Sequence, residues 1–104
     1  MTNKKEYFER LTNKLFRLLP IYEGKDKETN LIVYEAEVAH QNFLNNLTAV
    51  ITEVSGLRDE FKDSAVDELF YLLKGMEDIK VNQHPVVKTC VFKAINQCKR
   101  VGDA

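Results

Sequence analysis

Glycine is scarce in this sequence: there are four in 104 residues, and none are clustered. That removes the P-loop and the GxGxxG turn, both of which need glycine-rich backbone to approach phosphates. Histidine and cysteine are sparser still, two of each. Cys90 and Cys98 stand eight positions apart on a predicted helix, which separates their Cα atoms by about 12 Å at 1.5 Å per residue. A disulfide requires less than about 7 Å, so the two cannot bridge each other while that helix exists. Zinc spacings such as C-x2-C or H-x3-H are missing, and His40 joins His84, Cys90 and Cys98 only if the tertiary fold brings it there. Both thiols are expected to be reduced and in the core. No metal and no cofactor is expected.

Long apolar runs are lacking too. No stretch reaches the roughly 18 apolar residues of a membrane span, and MTNKKE (1–6) has none of the apolar character of a signal peptide. A cytoplasmic location without a membrane span is the expectation. Catalytic groupings are equally hard to find. The two histidines, one at a helix start and one mid-helix, do not assemble a nucleophile with a base and an orienting group. His84 reads instead as a cap or turn residue before Pro85. The acidic pairs Glu35/Glu37, Asp59/Glu60 and Glu77/Asp78 are scattered along solvent-facing segments, with no spacing that singles out a general acid and its partner. The chain therefore reads as non-enzymatic, with no small-molecule substrate indicated.

What is present is the material of a helical domain. An apolar fraction of 44% and a charged fraction of 30% suit a soluble, foldable chain, and the length allows one domain over 1–104 with one core. The formal net charge of −1 is unevenly spread. Residues 1–19 hold five Lys/Arg against two Asp/Glu, and residues 80–104 hold five against one, so both ends are basic and the middle is acidic. Two explanations stand: attraction between terminal and central segments packed side by side, or a basic face for an acidic partner.

Apolar periodicity places four helices. Asn3 and Glu6 form a capping box, then Phe8, Leu11, Leu15 and Leu18 mark helix 1 over 4–19, with Pro20 as its stop. Residues 20–30 form a polar connection. Leu31 to Tyr34 (LIVY) has strand propensity but no visible strand partner, and reads as an extended lead-in to helix 2. Ala36, Ala39, Phe43, Leu47, Val50 and Val54 form the stripe of helix 2, which Ser55 and Gly56 are expected to end. Ser64 and Asp67 form a capping pattern for helix 3 over 64–78, with Ala65, Leu69, Leu72, Met76 and Ile79 along one face flanked by Val66, Phe70 and Leu73, and Gly75 favours an early stop or fraying. Helix 4 starts near Pro85, runs along Val87, Val91, Ala94, Cys98 and Val101, and ends on Lys99 and Arg100. Short connections favour antiparallel neighbours, so the expected fold is all-α, a compact up-and-down four-helix bundle.

Opposite the apolar stripe of helix 4, Thr89, Lys93, Asn96, Gln97 and Arg100 lie within roughly a 100° sector at 100° per residue. These side chains suit base edges and phosphates, and they are also ordinary helix surface. The connection before helix 4 is longer than a helix-turn-helix turn, and helix 3 adds negative charge. DNA is a candidate ligand on this ground. Phe92, with Tyr7 and Phe16 on helix 1, lies at the border of the apolar and polar sides, where rings either cover the core edge or serve a protein partner or homodimer.

The stretches KLFRLLPIYEGKD (14–26) and IVYEAEVAHQNFLNNL (32–47) resemble small helical accessory proteins of Gram-positive conjugative plasmids, described as replication-control proteins. The resemblance implies plasmid maintenance through DNA or a replication protein, and carries no site residue. The alternative is a bacteriocin immunity protein, also a cytoplasmic four-helix bundle of this size; the chain departs from that pattern in ending three or four residues after helix 4, with no tail to recognise a toxin–receptor complex.

Overall fold

A computed structural model describes residues 4–103. Four α-helices follow one another: α1 (Lys4–Glu23), α2 (Ala36–Phe61), α3 (Ser64–Gly75) and α4 (His84–Asp103), with a 3-10 turn at Met76–Asp78 after α3. Each packs against its neighbours in order, and α1 packs against α4 to close the ring. All four contacts are antiparallel. Tyr22, near the end of α1, meets Phe43 near the start of α2, while Lys14 of α1 reaches Glu53 further along. Arg58 of α2 pairs with Asp67 of α3, Gln97 of α4 reaches Ala65 of α3, and Phe16 of α1 meets Phe92 of α4. The chain is an up-and-down bundle.

The core is the set of stripes that the periodicity marks. Phe8, Leu11, Leu15 and Leu18 of α1 are buried, with Ala39, Phe43, Leu47, Val50 and Val54 of α2 and Val87, Val91, Ala94, Cys98 and Val101 of α4. On α3 the face is turned slightly from the expected one: Val66, Leu69 and Leu73 are buried, and Ala65 and Leu72 lie half-buried at its edge. No buried side-chain nitrogen or oxygen among the described residues lacks a hydrogen-bond partner.

The helix ends depart from expectation in informative ways. Pro20 does not stop α1, which continues to Glu23. Proline withholds one N–H and crowds the preceding turn, but Tyr22 is buried one half-turn later and its hydroxyl donates to the Lys80 carbonyl while accepting the Gln83 N–H (2.9 Å). Those contacts hold the last turn in place. Gly24 ends it at φ +81°, with Gly24 N–H bonded to Ile21 C=O and Lys25 N–H to Pro20 C=O, the two bonds of a Schellman motif. A β-carbon on Gly24 would sit 2.7 Å from the Tyr34 carbonyl oxygen, so only glycine fits.

Ser55 and Gly56 do not end α2 either. Leu57 is buried and Phe61 packs on the core, extending the stripe past the glycine, and burial of a leucine is worth about 1.5–3 kcal/mol against about 1 kcal/mol for a helical glycine. Lys62, in the left-handed region at φ 46°, closes the helix through its N–H to Arg58 C=O. The cap of α3 is Asp63, whose carboxylate accepts the Ala65 N–H at 2.9 Å; Ser64 is the first helical residue, and Asp67 turns to Arg58 instead. Gly75 does end α3. The expected Asn3–Glu6 box involves Asn3, which lies outside the described residues.

The Leu31 to Tyr34 stretch has a partner at Ile32 after all, and the chain bends at Tyr34. Lys25 and Ile32 form an antiparallel bridge within the α1–α2 connection itself.

Candidate interaction surface

The ring order of the bundle places the first and last helices side by side, so the two basic ends of the sequence share one side of the molecule. Some of the central acidity attracts that side. Lys4 reaches Asp63 (3.3 Å) and Lys14 reaches Glu53 (3.0 Å). Arg17 of α1 and Lys88, Lys93, Lys99 and Arg100 of α4 are exposed and have no carboxylate within 4.0 Å among the described residues. Of these, Lys88 and Lys99 border α1, whereas Arg17 borders α2 and Lys93 and Arg100 border α3.

At the centre of this side are two phenyl rings. Phe16 is 41% exposed and Phe92 38%, and they meet edge to face with centroids 6.0 Å apart. An edge-on pair is favourable in itself, and half-exposed rings in a charged surround have the composition of a protein-contact centre. Tyr7, the third border aromatic, is occupied differently: its hydroxyl donates to Glu53 at 2.7 Å. Burial pushes the Tyr7 phenol up to about 12, and the hydrogen bond to Glu53 adds to this. Burial pushes Glu53 upward too, but hydrogen bonds from Tyr7 and Lys14 and the nearby charges of Lys14 and Arg10 hold it below the ordinary glutamate value.

The five side chains of the α4 sector divide. Thr89, Lys93, Asn96 and Arg100 are exposed. The Thr89 hydroxyl is turned back on its own helix, donating to Pro85 C=O at 2.9 Å. Lys93, Asn96 and Arg100 border a shallow depression of about 230 Å³ between α3 and α4. Gln97 is not part of an open surface. It is only 4% exposed, and its amide donates to Ala65 C=O (2.9 Å) and to Glu68 (3.3 Å) across the α3–α4 contact. Gln97 lies on the α3 side of the sector, and a buried carbonyl is available there; a wheel drawn for one helix carries no record of its neighbour.

The groups first suspected of chemistry have structural partners. His40 donates its Nε2–H to Ile79 C=O at 2.7 Å, since a carbonyl can only accept. His84 is the first residue of α4, its ring edge-on to Tyr22 at 5.1 Å. Cys98 is buried, and burial pushes its thiol up to about 12, with the Thr12 hydroxyl acting in the opposite direction. That keeps it a thiol near neutral pH, a poor nucleophile. Cys90 is free and half-buried. Among the described residues no three His, Cys, Asp or Glu side chains gather as metal ligands, and no helix is long and apolar enough to cross a membrane.

Sequence reasoning did not single out the exposure of Leu31 to Tyr34. The available signal was four consecutive apolar residues in a polar connection with no strand to cover them.

The chain matches no protein-family profile, and no curated protein or solved structure matches it.

Proposed function

We propose that the chain is a small regulatory interaction protein, without catalysis of its own, that engages an acidic protein partner through the α1–α4 side. One observation carries this reading: Phe16 and Phe92 form an exposed pair on the α1–α4 side, where Lys88 and Lys99 have no carboxylate partner. Aromatic contact at the centre supplies affinity, and unpaired cations supply orientation and encounter rate. The resemblance to plasmid replication-control proteins suggests that the partner is a replication protein, met in the cytoplasm. Direct reading of DNA by α4 is less favoured, because Gln97 is withdrawn from the sector and Glu68 borders the same depression as Lys93 and Arg100, where it repels phosphate.

The test is plasmid copy number in a Gram-positive host carrying a conjugative plasmid, with and without expression of the chain. A changed copy number that Phe16→Asp plus Phe92→Asp abolishes, and that Glu37→Ala on α2 leaves intact, supports the reading. An unchanged copy number removes replication control. Affinity for origin DNA that falls with rising salt and with Lys93→Ala plus Arg100→Ala replaces the protein partner with DNA.

A further inference from the structure

The α1–α4 groove carries both signs of charge, and they are sorted by helix. Glu9, Phe16 and Glu23 recur at seven-residue spacing on α1, so they share one stripe within about 40° at 100° per residue. Lys88, Phe92 and Lys99 share a stripe of α4 within about the same angle. Phe16 meets Phe92 in the middle, and on either side of the ring pair the groove opens into a depression of about 450 Å³. Glu9 and Lys99 line the first depression, Glu23 and Lys88 the second. All of these side chains are exposed. Glu9, Lys88 and Lys99 have no partner of opposite charge within 4.0 Å among the described residues, and Glu23 holds Lys25 at 2.8 Å.

We propose that two copies of the chain meet at this groove, α1 of each lying on α4 of the other about a two-fold axis parallel to the helices. This pairing rests on the reading of the α1–α4 side as a contact surface, and it sets a second copy in competition with the acidic partner: Glu9 and Glu23 of that copy offer Lys99 and Lys88 the same carboxylate chemistry. What selects a second copy is the complementarity of the groove with itself. A two-fold axis along the helices keeps each level of the groove and exchanges α1 for α4. Glu9 then faces Lys99 of the second copy, Phe16 faces Phe92, and Glu23 faces Lys88. Lys5 of α1 and Asp103 of α4, which also line the first depression, are again opposite in sign. Each contact occurs twice by symmetry. A two-fold axis across the helices lays α1 on α1 and α4 on α4 in reverse, setting Glu9 against Glu23 and Lys88 against Lys99. Like charges face to face are costly, so the order of charges admits the first arrangement and rejects the second. The four rings supply the apolar centre, and the charges, weak as exposed pairs, set the register.

Sedimentation velocity on the full chain, from about 1 µM to about 1 mM, is expected to show a dimer that weakens with rising salt. Glu9→Lys and Lys99→Glu, each alone, put like charges at both symmetric contacts and are expected to raise the dissociation constant at least about tenfold, with the far-ultraviolet circular dichroism unchanged. Mixed in equal amounts, the two variants restore the dimer, because each brings the charge that the other lacks. A wild type that stays monomeric throughout overturns the proposal. A dimer indifferent to both variants, or one that mixing does not restore, overturns it as well. Neither result touches the acidic partner, which the copy-number comparison with Phe16→Asp plus Phe92→Asp tests separately. A dimer without an effect on copy number leaves this pairing standing and removes replication control.

Discussion

The two halves of the bundle use their charges differently. In the α2–α3 half, three carboxylates are held: Glu53 takes the Tyr7 hydroxyl and Lys14, Asp63 caps α3 and takes Lys4, and Asp67 takes Arg58. In the α1–α4 half, Lys88, Lys93, Lys99 and Arg100 are turned to solvent with no such partner among the described residues. Near equality of positive and negative charge in the whole chain conceals this division. The functional proposal rests on α4 because its four cations carry none of these internal pairings.

Five substitutions break or sharpen that contrast. The largest effect is expected where the basic half departs from its own pattern. Gln97 is on α4 yet buried, so Gln97→Ala, which removes two hydrogen bonds and leaves a void at the α3–α4 contact, is expected to destabilise the fold by about 1–3 kcal/mol in urea unfolding. A loss no larger than that of a surface alanine substitution would place Gln97 among the free groups. Next comes the acidic half. Glu53→Ala is expected to lose about 1 kcal/mol at pH 7 through the Tyr7 and Lys14 contacts. Because Glu53 is held below its ordinary value in the folded state, that contribution is full above the ordinary glutamate range and disappears as pH falls through the depressed value. The gap in urea midpoint between variant and wild type should therefore narrow steadily on acidification; a gap that stays constant as pH falls assigns the loss to packing. The smallest effects belong to the free cations. Lys88→Ala, Lys99→Ala and Arg100→Ala should each stay within about 0.5 kcal/mol of wild-type stability, and a thermal melt showing more would mean that these side chains are engaged within the fold.

The four helices and nearly all of the core were legible in the sequence, because a buried stripe repeats at helical spacing whatever its neighbours do. Leu11, Phe43, Leu69 and Val91 could be named without a structure. The helix ends were less legible, because they depend on partners far away in sequence. Pro20 and Gly56 both read as stops by local chemistry, and Tyr22 and Leu57, held by the rest of the bundle, carry the helices past them. The candidate site was legible in the same measure. Thr89, Lys93, Asn96 and Arg100 are exposed on one face as the wheel of α4 requires, whereas the withdrawal of Gln97 and the meeting of Phe16 with Phe92 depend on which helix stands beside α4.

Tyr22 has a consequence for how the bundle opens. One hydroxyl near the end of α1 engages the Lys80 carbonyl and the Gln83 amide at the start of α4, and its ring lies against Phe43, His40 and His84. The last turn of α1 cannot fray without releasing the connection that leads into α4, and with it the ring contacts on α2. Local opening at this end is consequently a single cooperative event involving three helices, and protection of the Gln83 amide against hydrogen exchange reports on all of them at once.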